Sequence, residues 1–366
     1  MGEIAGGSGE TKTALDAFQE AATLLQELGD VGTASQVRLQ MGWIYANAGQ
    51  SQIALETFQQ ARDLAQQAEK PAWAAIALNG IGNTYRSLTQ FDKALEAYQQ
   101  ALEIYQPQTD EASQLGAATT LSAMGGVYSD LGERQQALDV YQQSLKVFRA
   151  IGSSPNVAYV LSFMAQIYTD IGETQTALDL YQQSLEIRQE LGDPSEIAEV
   201  LQLIGILYVN LSQPEKAEEN LQQALELVQQ SDQAEAIATQ EAEILSILAT
   251  VYLRKGETEK ALATSKEVLA IRKNTGDPLL EAQALVGLGG AYYFLNDYPQ
   301  AIGTLEQALE LYQTVGQQTF AAGVTYQLGN FYSTLGEYQK RLAQYRKALD
   351  IYKELGNREG EADILT

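Results

Sequence analysis

Cysteine and histidine are both absent from the 366 residues. Disulfides, thiolate nucleophiles and zinc sites with thiolate or imidazole ligands are therefore excluded. The side chain that most often moves protons near neutral pH is missing too, so an acid–base enzyme would have to rely on carboxylates, lysine or tyrosine. No catalytic residue, metal ligand or cofactor is expected. Prolines number only seven, and no polar tract divides the chain. No apolar run approaches the roughly 18 residues that a membrane-spanning helix needs, so no membrane segment is expected. Basic residues are scarce, 23 against 47 acidic ones, which leaves a formal charge of -24. A nucleic-acid backbone would be repelled at long range. The densest basic cluster, Arg254, Lys255 and Lys260, sits among Glu257 and Glu259. Residues 1–9 lack the basic and apolar segments of a secretory signal. They read as a flexible leader or cloning remnant, and the chain is expected in the cytoplasm.

What the sequence does hold is repetition. Apolar residues make up 45% of the chain, more than one compact core of this length needs. Alanine, leucine, glutamine and glutamate favour helix throughout. A small residue followed three positions later by tyrosine recurs eight times, at Gly42–Tyr45, Gly82–Tyr85, Gly125–Tyr128, Ala165–Tyr168, Gly205–Tyr208, Ala249–Tyr252, Gly289–Tyr292 and Gly329–Tyr332. The tyrosines lie 40, 43, 40, 40, 44, 40 and 40 residues apart. A fixed period of this size marks a stacked repeat in which no unit can bury its apolar face alone. The two longer spacings add close to one helical turn, which lengthens a helix without much rotating its face. A second signature follows in each copy, as in Ala94, Tyr98 and Ala101, or Ala137, Tyr141 and Ser144. Spacings of four and three place these residues on one helical face. Each repeat is thus expected to be two amphipathic helices.

The punctuation agrees. Gly132, Gly172, Gly256 and Gly336 follow the first helix, and Gly29, Gly152, Gly192, Gly276, Gly316 and Gly356 follow the second. A left-handed residue is wanted at both places. Gly192-Asp193-Pro194 and Gly276-Asp277-Pro278 read as a stop, an N-cap and a proline in the first turn.

Small-x-x-Tyr in a first helix, Ala-x-x-x-aromatic-x-x-Ala in a second, and glycine between them resemble the tetratricopeptide repeat. The resemblance covers residues 10 to about 365. The period exceeds the commonest 34 residues. It is similar to the longer-helix branch of kinesin light chains, Leu-Gly-Asn repeat proteins and bacterial arrays joined to CHAT-type signalling domains. The resemblance implies an all-α, right-handed superhelical solenoid that binds a protein or extended peptide, as the sensor or adaptor part of a larger bacterial protein. One array is expected, with a half repeat at 10–29, eight full repeats at about 31–356 and the start of another at 357–366. The half repeat follows from Gly9-Glu10-Thr11-Lys12-Thr13-Ala14, which matches Gly172-Glu173-Thr174-Gln175-Thr176-Ala177.

In this family the first helices line a concave groove. Counted from the recurring tyrosine, groove positions lie two and six residues before it and one after. They place Asn79, Asn83, Arg86, Gln166, Tyr293, Tyr326 and Asn330 in the groove. Asn83 and Asn330 resemble the Leu-Gly-Asn asparagine, whose amide can pair with the backbone of a bound chain. The alternative is a solvated polar residue on an exposed helix face. Leu203, Ile206, Val209, Val286, Phe294, Tyr159 and Phe163 give the groove apolar stretches, unless adjoining repeats bury them. A lysine clamp for a peptide carboxylate is not visible. The groove-side charges are Arg86 and Arg254 against Asp130, Asp170, Glu199 and Glu243. Gly287-Leu288-Gly289-Gly290 reads as close helix packing rather than a phosphate loop, since no strand precedes it. The eight tyrosines read as core, and Glu218-Glu219 as a solvated outer face. Self-association through exposed terminal repeats is the competing reading, and an enzyme is the remaining one.

Overall fold

The computed structural model describes residues 4–230 and 234–365, with the side chains of 12–230 and 238–365. Among the described residues there are eighteen helices and no strand. A single helix, α1 (Ile4–Glu27), precedes eight helical pairs: α2 (Val31–Asn47) with α3 (Ser51–Gln67), α4 (Pro71–Ser87) with α5 (Phe91–Tyr105), α6 (Glu111–Asp130) with α7 (Arg134–Ala150), α8 (Ser154–Asp170) with α9 (Thr174–Leu191), α10 (Pro194–Asn210) with α11 (Pro214–Gln229), α12 (Ala234–Lys255) with α13 (Thr258–Asn274), α14 (Pro278–Phe294) with α15 (Tyr298–Thr314), and α16 (Gln318–Thr334) with α17 (Tyr338–Leu355). α18 (Arg358–Leu365) begins a further repeat. The chain falls into two compact units, Met1–Ile187 and Arg188–Thr366.

One boundary differs from expectation. α1 begins at Ile4, so Ile4–Gly9 continues the helix instead of forming a leader. Residues 1–3 of that leader lie outside the described residues. Gly172 turns because α8 closes onto it with positive φ, whereas Gly9 has no such closure and stays helical. The other punctuation is as expected. All ten glycines singled out as helix stops adopt positive φ, between 67° and 81°. Asp193 caps α10 by accepting from the Ser195 and Glu196 amides at 2.9 and 3.3 Å. Asp277 does the same for α14, from Leu279 and Leu280. Glu69, Thr89, Ser212 and Asn296 occupy the same left-handed turn position without being glycine.

The small residue of each first helix is a socket for a side chain sixteen positions later. A Cβ added to Gly82 would lie 2.5 Å from the Tyr98 ring, and one added to Gly125 would lie 2.8 Å from that of Tyr141. Phe58, Leu221, Leu305 and Tyr345 fill the sockets of Gly42, Gly205, Gly289 and Gly329. Of the two repeats where the small residue is alanine, Ala249 has the smaller Ser265 at that register and Ala165 has Tyr181, both buried. Serine hydroxyls tie the two helices of a pair. Ser144 donates to the Ala118 carbonyl at 2.7 Å, and Ser184 to that of Ala158 at 2.9 Å.

The deepest aromatics are therefore those of the second helices. Tyr98, Tyr141 and Tyr181 are essentially fully buried. Of the recurring first-helix tyrosines expected in the core, Tyr208, Tyr252 and Tyr332 are buried, while Tyr45, Tyr85, Tyr128, Tyr168 and Tyr292 are half-buried. A phenol at the pair's edge keeps its ring on apolar neighbours and its hydroxyl near water. Lysines lie over several of these rings, including Lys260 at 3.9 Å from the Tyr252 centroid.

Candidate functional site

In unit 1, successive first helices lie against one another, α2 with α4, α4 with α6 and α6 with α8. No pair of second helices is in comparable contact among the described residues. The first helices thus form the closely spaced inner face, and polar side chains link them there. Arg86 on α4 grips Asp130 on α6 with both arms, Nε to Oδ2 at 2.6 Å and Nη2 to Oδ1 at 3.2 Å. Gly126 makes room for it, because a Cβ there would lie 2.7 Å from Arg86 Nη1. Asn79 accepts from the Thr120 hydroxyl at 3.0 Å, again from α4 to α6.

The amides at the position two before the recurring tyrosine share one geometry. The Tyr98 hydroxyl donates to Asn83 Oδ1 at 2.5 Å, the Tyr345 hydroxyl to Asn330 Oδ1, and the Tyr181 hydroxyl to Gln166 Oε1 at 3.2 Å. Each is a bond to the residue fifteen positions on, so a first-helix amide, exposed at Asn83 and Gln166 and half-buried at Asn330, satisfies a second-helix phenol. Gln166 also donates to Asp170 Oδ1 at 2.8 Å. Asn83 and Asn330 direct no such donor bond to another described residue. Burial raises the Tyr141 phenol to about 12, with Arg86 pulling it down and Asp130 pushing it up. The same desolvation raises Tyr98. Both phenols are neutral donors at neutral pH.

A cleft of about 280 Å³ opens on this inner face, lined by Arg86, Ser122, Gly126, Tyr159, Phe163 and Gln166 among others. Tyr159 is 39% exposed and Phe163 49%, with Phe163 stacked 5.8 Å from Tyr141. Arg86 and Gln166 are thus brought to one cleft, with Asn79 and Asn83 on the same helix as Arg86. Of the acids on this face, Asp130 is charge-paired by Arg86, whereas Asp170 accepts a hydrogen bond from the neutral Gln166 amide and keeps its charge.

In unit 2, Tyr293 and Tyr326 are placed differently. Tyr293 stacks on Phe331 at 4.3 Å and reaches the Thr334 hydroxyl at 2.9 Å, so it packs α14 against α16. Tyr326 leans on Tyr345 and donates to the Asp363 carbonyl at 3.2 Å, binding α16 to α18. Both are half-buried between repeats rather than presented freely. Of the apolar stretch Leu203, Ile206 and Val209, the last is buried and the first two are half-buried, whereas Phe294 is exposed. Arg254 donates to the Val209 carbonyl at 2.6 Å. Glu218 is not the solvated outer carboxylate expected. Its side chain is 15% exposed and binds Lys255 and Lys260 at 2.5 and 2.8 Å.

Two buried cations escaped the sequence reading, Arg188 and Arg272. Both stand twenty residues after a recurring tyrosine, where other second helices carry Tyr105, Phe148, Val228 or Tyr312. That break in an apolar register was the available signal.

No group of three or more acidic residues among the described residues is arranged to hold a metal, and no described helix is long and apolar enough to cross a membrane. Tetratricopeptide repeat models match residues 34–107, 73–150, 116–190, 156–230 and 240–314, and a second such model matches 322–359. No curated protein is similar enough to match. Among solved structures, the chain is similar to the apo form of the quorum sensor NprR from B. thuringiensis, at 17% identity and TM-score 0.65 over 94% of this chain and 99% of that one. It is similar to a signal transduction ATPase with a tetratricopeptide repeat sensor from Pyrococcus horikoshii, at 16% identity and TM-score 0.65, over 96% of this chain but 55% of that one. It is also similar to a Rap protein complexed with competence and sporulation factor, at 16% identity and TM-score 0.52 over 95% and 99%. At such identities the shared property is the fold.

Proposed function

Because the chain belongs to the tetratricopeptide repeat family, we propose that it is a binding scaffold whose first-helix face holds a protein or an extended peptide. The observation that carries this reading is the unit 1 cleft, where exposed Tyr159 and Phe163 stand beside the Arg86–Asp130 pair. Exposed aromatics in a concavity are efficient anchors because they bury large area at small conformational cost. The free amide protons of Asn83 suit the carbonyls of an extended chain. The quorum sensor and the factor-bound Rap protein, similar in fold, support a signal-receiving role. On this reading the array is the sensor or adaptor part of a larger bacterial protein and performs no catalysis itself.

The test is a photo-crosslinking residue placed at Phe163, with one at exposed Glu103 on α5 as control. The protein captured in source cells is then titrated against the wild type and a Tyr159→Ala/Phe163→Ala variant. A partner captured at position 163 alone, and bound at least tenfold more weakly by the variant, supports the reading. Equal capture at both positions, or unchanged affinity in a folded variant, moves the site elsewhere. Capture of a second copy of the chain would favour self-association, for which Tyr338 and Leu342, exposed on α17, are the natural contacts.

A further inference from the structure

Arg272 on α13 is 7% exposed and stands at the register where Val228 and Tyr312 are apolar. Its counterpart Arg188 is electrostatically matched. Arg188 Nη1 lies 3.4 Å from Glu196 Oε2 and 3.3 Å from Glu199 Oε2, both on the following first helix, α10. These glutamates precede their recurring tyrosine, Tyr208, by twelve and nine residues. The same count back from Tyr292 falls on Leu280 and Gln283, so α14 offers no carboxylate at either place. Among the described residues, the acid that reaches Arg272 is half-exposed Glu243, 4.0 Å from Nη2, and Arg272 Nη1 has no hydrogen-bond partner. An incompletely paired buried guanidinium is a costly arrangement for folding alone.

The same arginine lines a cleft of about 570 Å³, together with Glu243, Ser246, Thr250, Leu280 and Gln283. Glycines keep this cleft open. Gly287 and Gly290 stand where the fifth repeat carries Leu203 and Ile206, and a Cβ at either would meet no atom within 4 Å. Gly289 between them does face Leu305, at 3.1 Å, so close packing explains that glycine and not its neighbours.

We propose that this cleft is a binding site for a carboxylate-bearing ligand with a small branched apolar group. The carboxylate takes the place of Glu243 on the Arg272 guanidinium, whose planar fork matches two oxygens. Hydroxyls and the Gln283 amide fix its orientation, and Ile247, Val268 and Leu280 receive the apolar part. The volume is that of a small-ligand site. A monoanion fits better than a phosphate, because the single guanidinium that Glu243 vacates cannot balance a dianion. The inference does not rest on the unit 1 cleft, and each can fail without the other.

The test is calorimetric titration of the full chain with three probes: an acetylated tripeptide of two glycines and a C-terminal leucine, its C-terminal amide, and isocaproate. The tripeptide acid is expected to bind, and its amide at least tenfold more weakly. Binding of isocaproate alongside the tripeptide acid identifies a free organic acid as sufficient, whereas binding of the tripeptide acid alone identifies a peptide C-terminus. Leu280→Glu/Gln283→Glu gives Arg272 the counter-charges that Arg188 has and should weaken acid binding at least tenfold with helix content unchanged. Gly287→Leu/Gly290→Ile should do the same by filling the cleft. The proposal is overturned if neither acid binds at millimolar concentration, if acid and amide bind alike, or if the folded Leu280→Glu/Gln283→Glu variant binds as the wild type does. Should that variant not fold, the acid–amide comparison on the wild-type chain decides.

Discussion

Replacing Gly82 by alanine should destabilise the chain, although alanine is the better helix former. Inside a helix the exchange by itself favours alanine by about 0.8–1.0 kcal/mol. At Gly82 the new methyl would meet the Tyr98 ring at 2.5, 2.7 and 2.8 Å, well inside van der Waals contact. The ring has little freedom to yield: it is fully buried and its hydroxyl is held by Asn83. Overpacking of this kind costs about 1–3 kcal/mol or more, and an overlap exceeding 1 Å belongs at the upper end. The net expectation is a loss of about 2 kcal/mol. Gly287→Ala adds the same methyl to a helix of the same class where nothing lies within 4 Å, and should gain roughly 0.5–1 kcal/mol. Denaturant unfolding followed by circular dichroism measures both. Hydrogen exchange should confine the damage of Gly82→Ala to α4 and the adjoining helices, because repeats contact only their neighbours. The double-mutant cycle is the sharper assay. In a Tyr98→Ser background, which imitates the Ala249–Ser265 pair, Gly82→Ala should become neutral or stabilising. A Gly82→Ala chain as stable as the wild type, or a cost that persists in that background, would refute the socket argument.

Thr89→Gly should stabilise by about 0.5–1 kcal/mol, since a β-branched residue is held at φ 56° in a turn that other repeats close with glycine; thermal unfolding checks it. Asn83→Ala should cost about 1–3 kcal/mol by leaving the buried Tyr98 hydroxyl without its acceptor, and much less in a Tyr98→Phe background; denaturant titration of the four chains measures the difference. Alkali should unfold the chain through its buried phenols. Tyr105 and Tyr141 are raised by burial from 10.0 to about 12, so the neutral form is the one the fold favours. Their contribution is intact below pH 10 and disappears as pH climbs through about 12. Phenolate absorbance and stability measured across that window should change together, and a stability already falling at neutral pH would contradict this.

The helices and their ends were legible because the forces that set them are local. A glycine stop, an aspartate cap and a proline in the first turn act within a few residues, and α10 and α14 begin where Asp193-Pro194 and Asp277-Pro278 predict. The recurring tyrosine marks register but misled about depth. Position in a pair decides burial, and the ring in a glycine socket lies deeper than the ring at the edge. Cross-repeat pairs were not legible. Arg86 and Asp130 lie 44 residues apart, one and two positions after their tyrosines in repeats spaced by 43, so a slip of one residue in counting separates them. The asparagines were legible as polar positions on the first helices. Their bond to a phenol fifteen residues on was hidden, because it depends on how the two helices of a pair cross.

The socket has a consequence for how such a chain can be rearranged. Gly125 and the Tyr141 ring that fills it belong to one helix pair, sixteen residues apart. A block of 40 residues excised or duplicated in phase with the glycine would carry plug and socket together. The same length cut between the glycine and its ring would set that ring against whatever residue the junction supplied, often one with a Cβ in the way. Recombination between repeats is therefore not equally tolerated at every phase, and the helix-to-helix turn inside a repeat is the joint to leave intact.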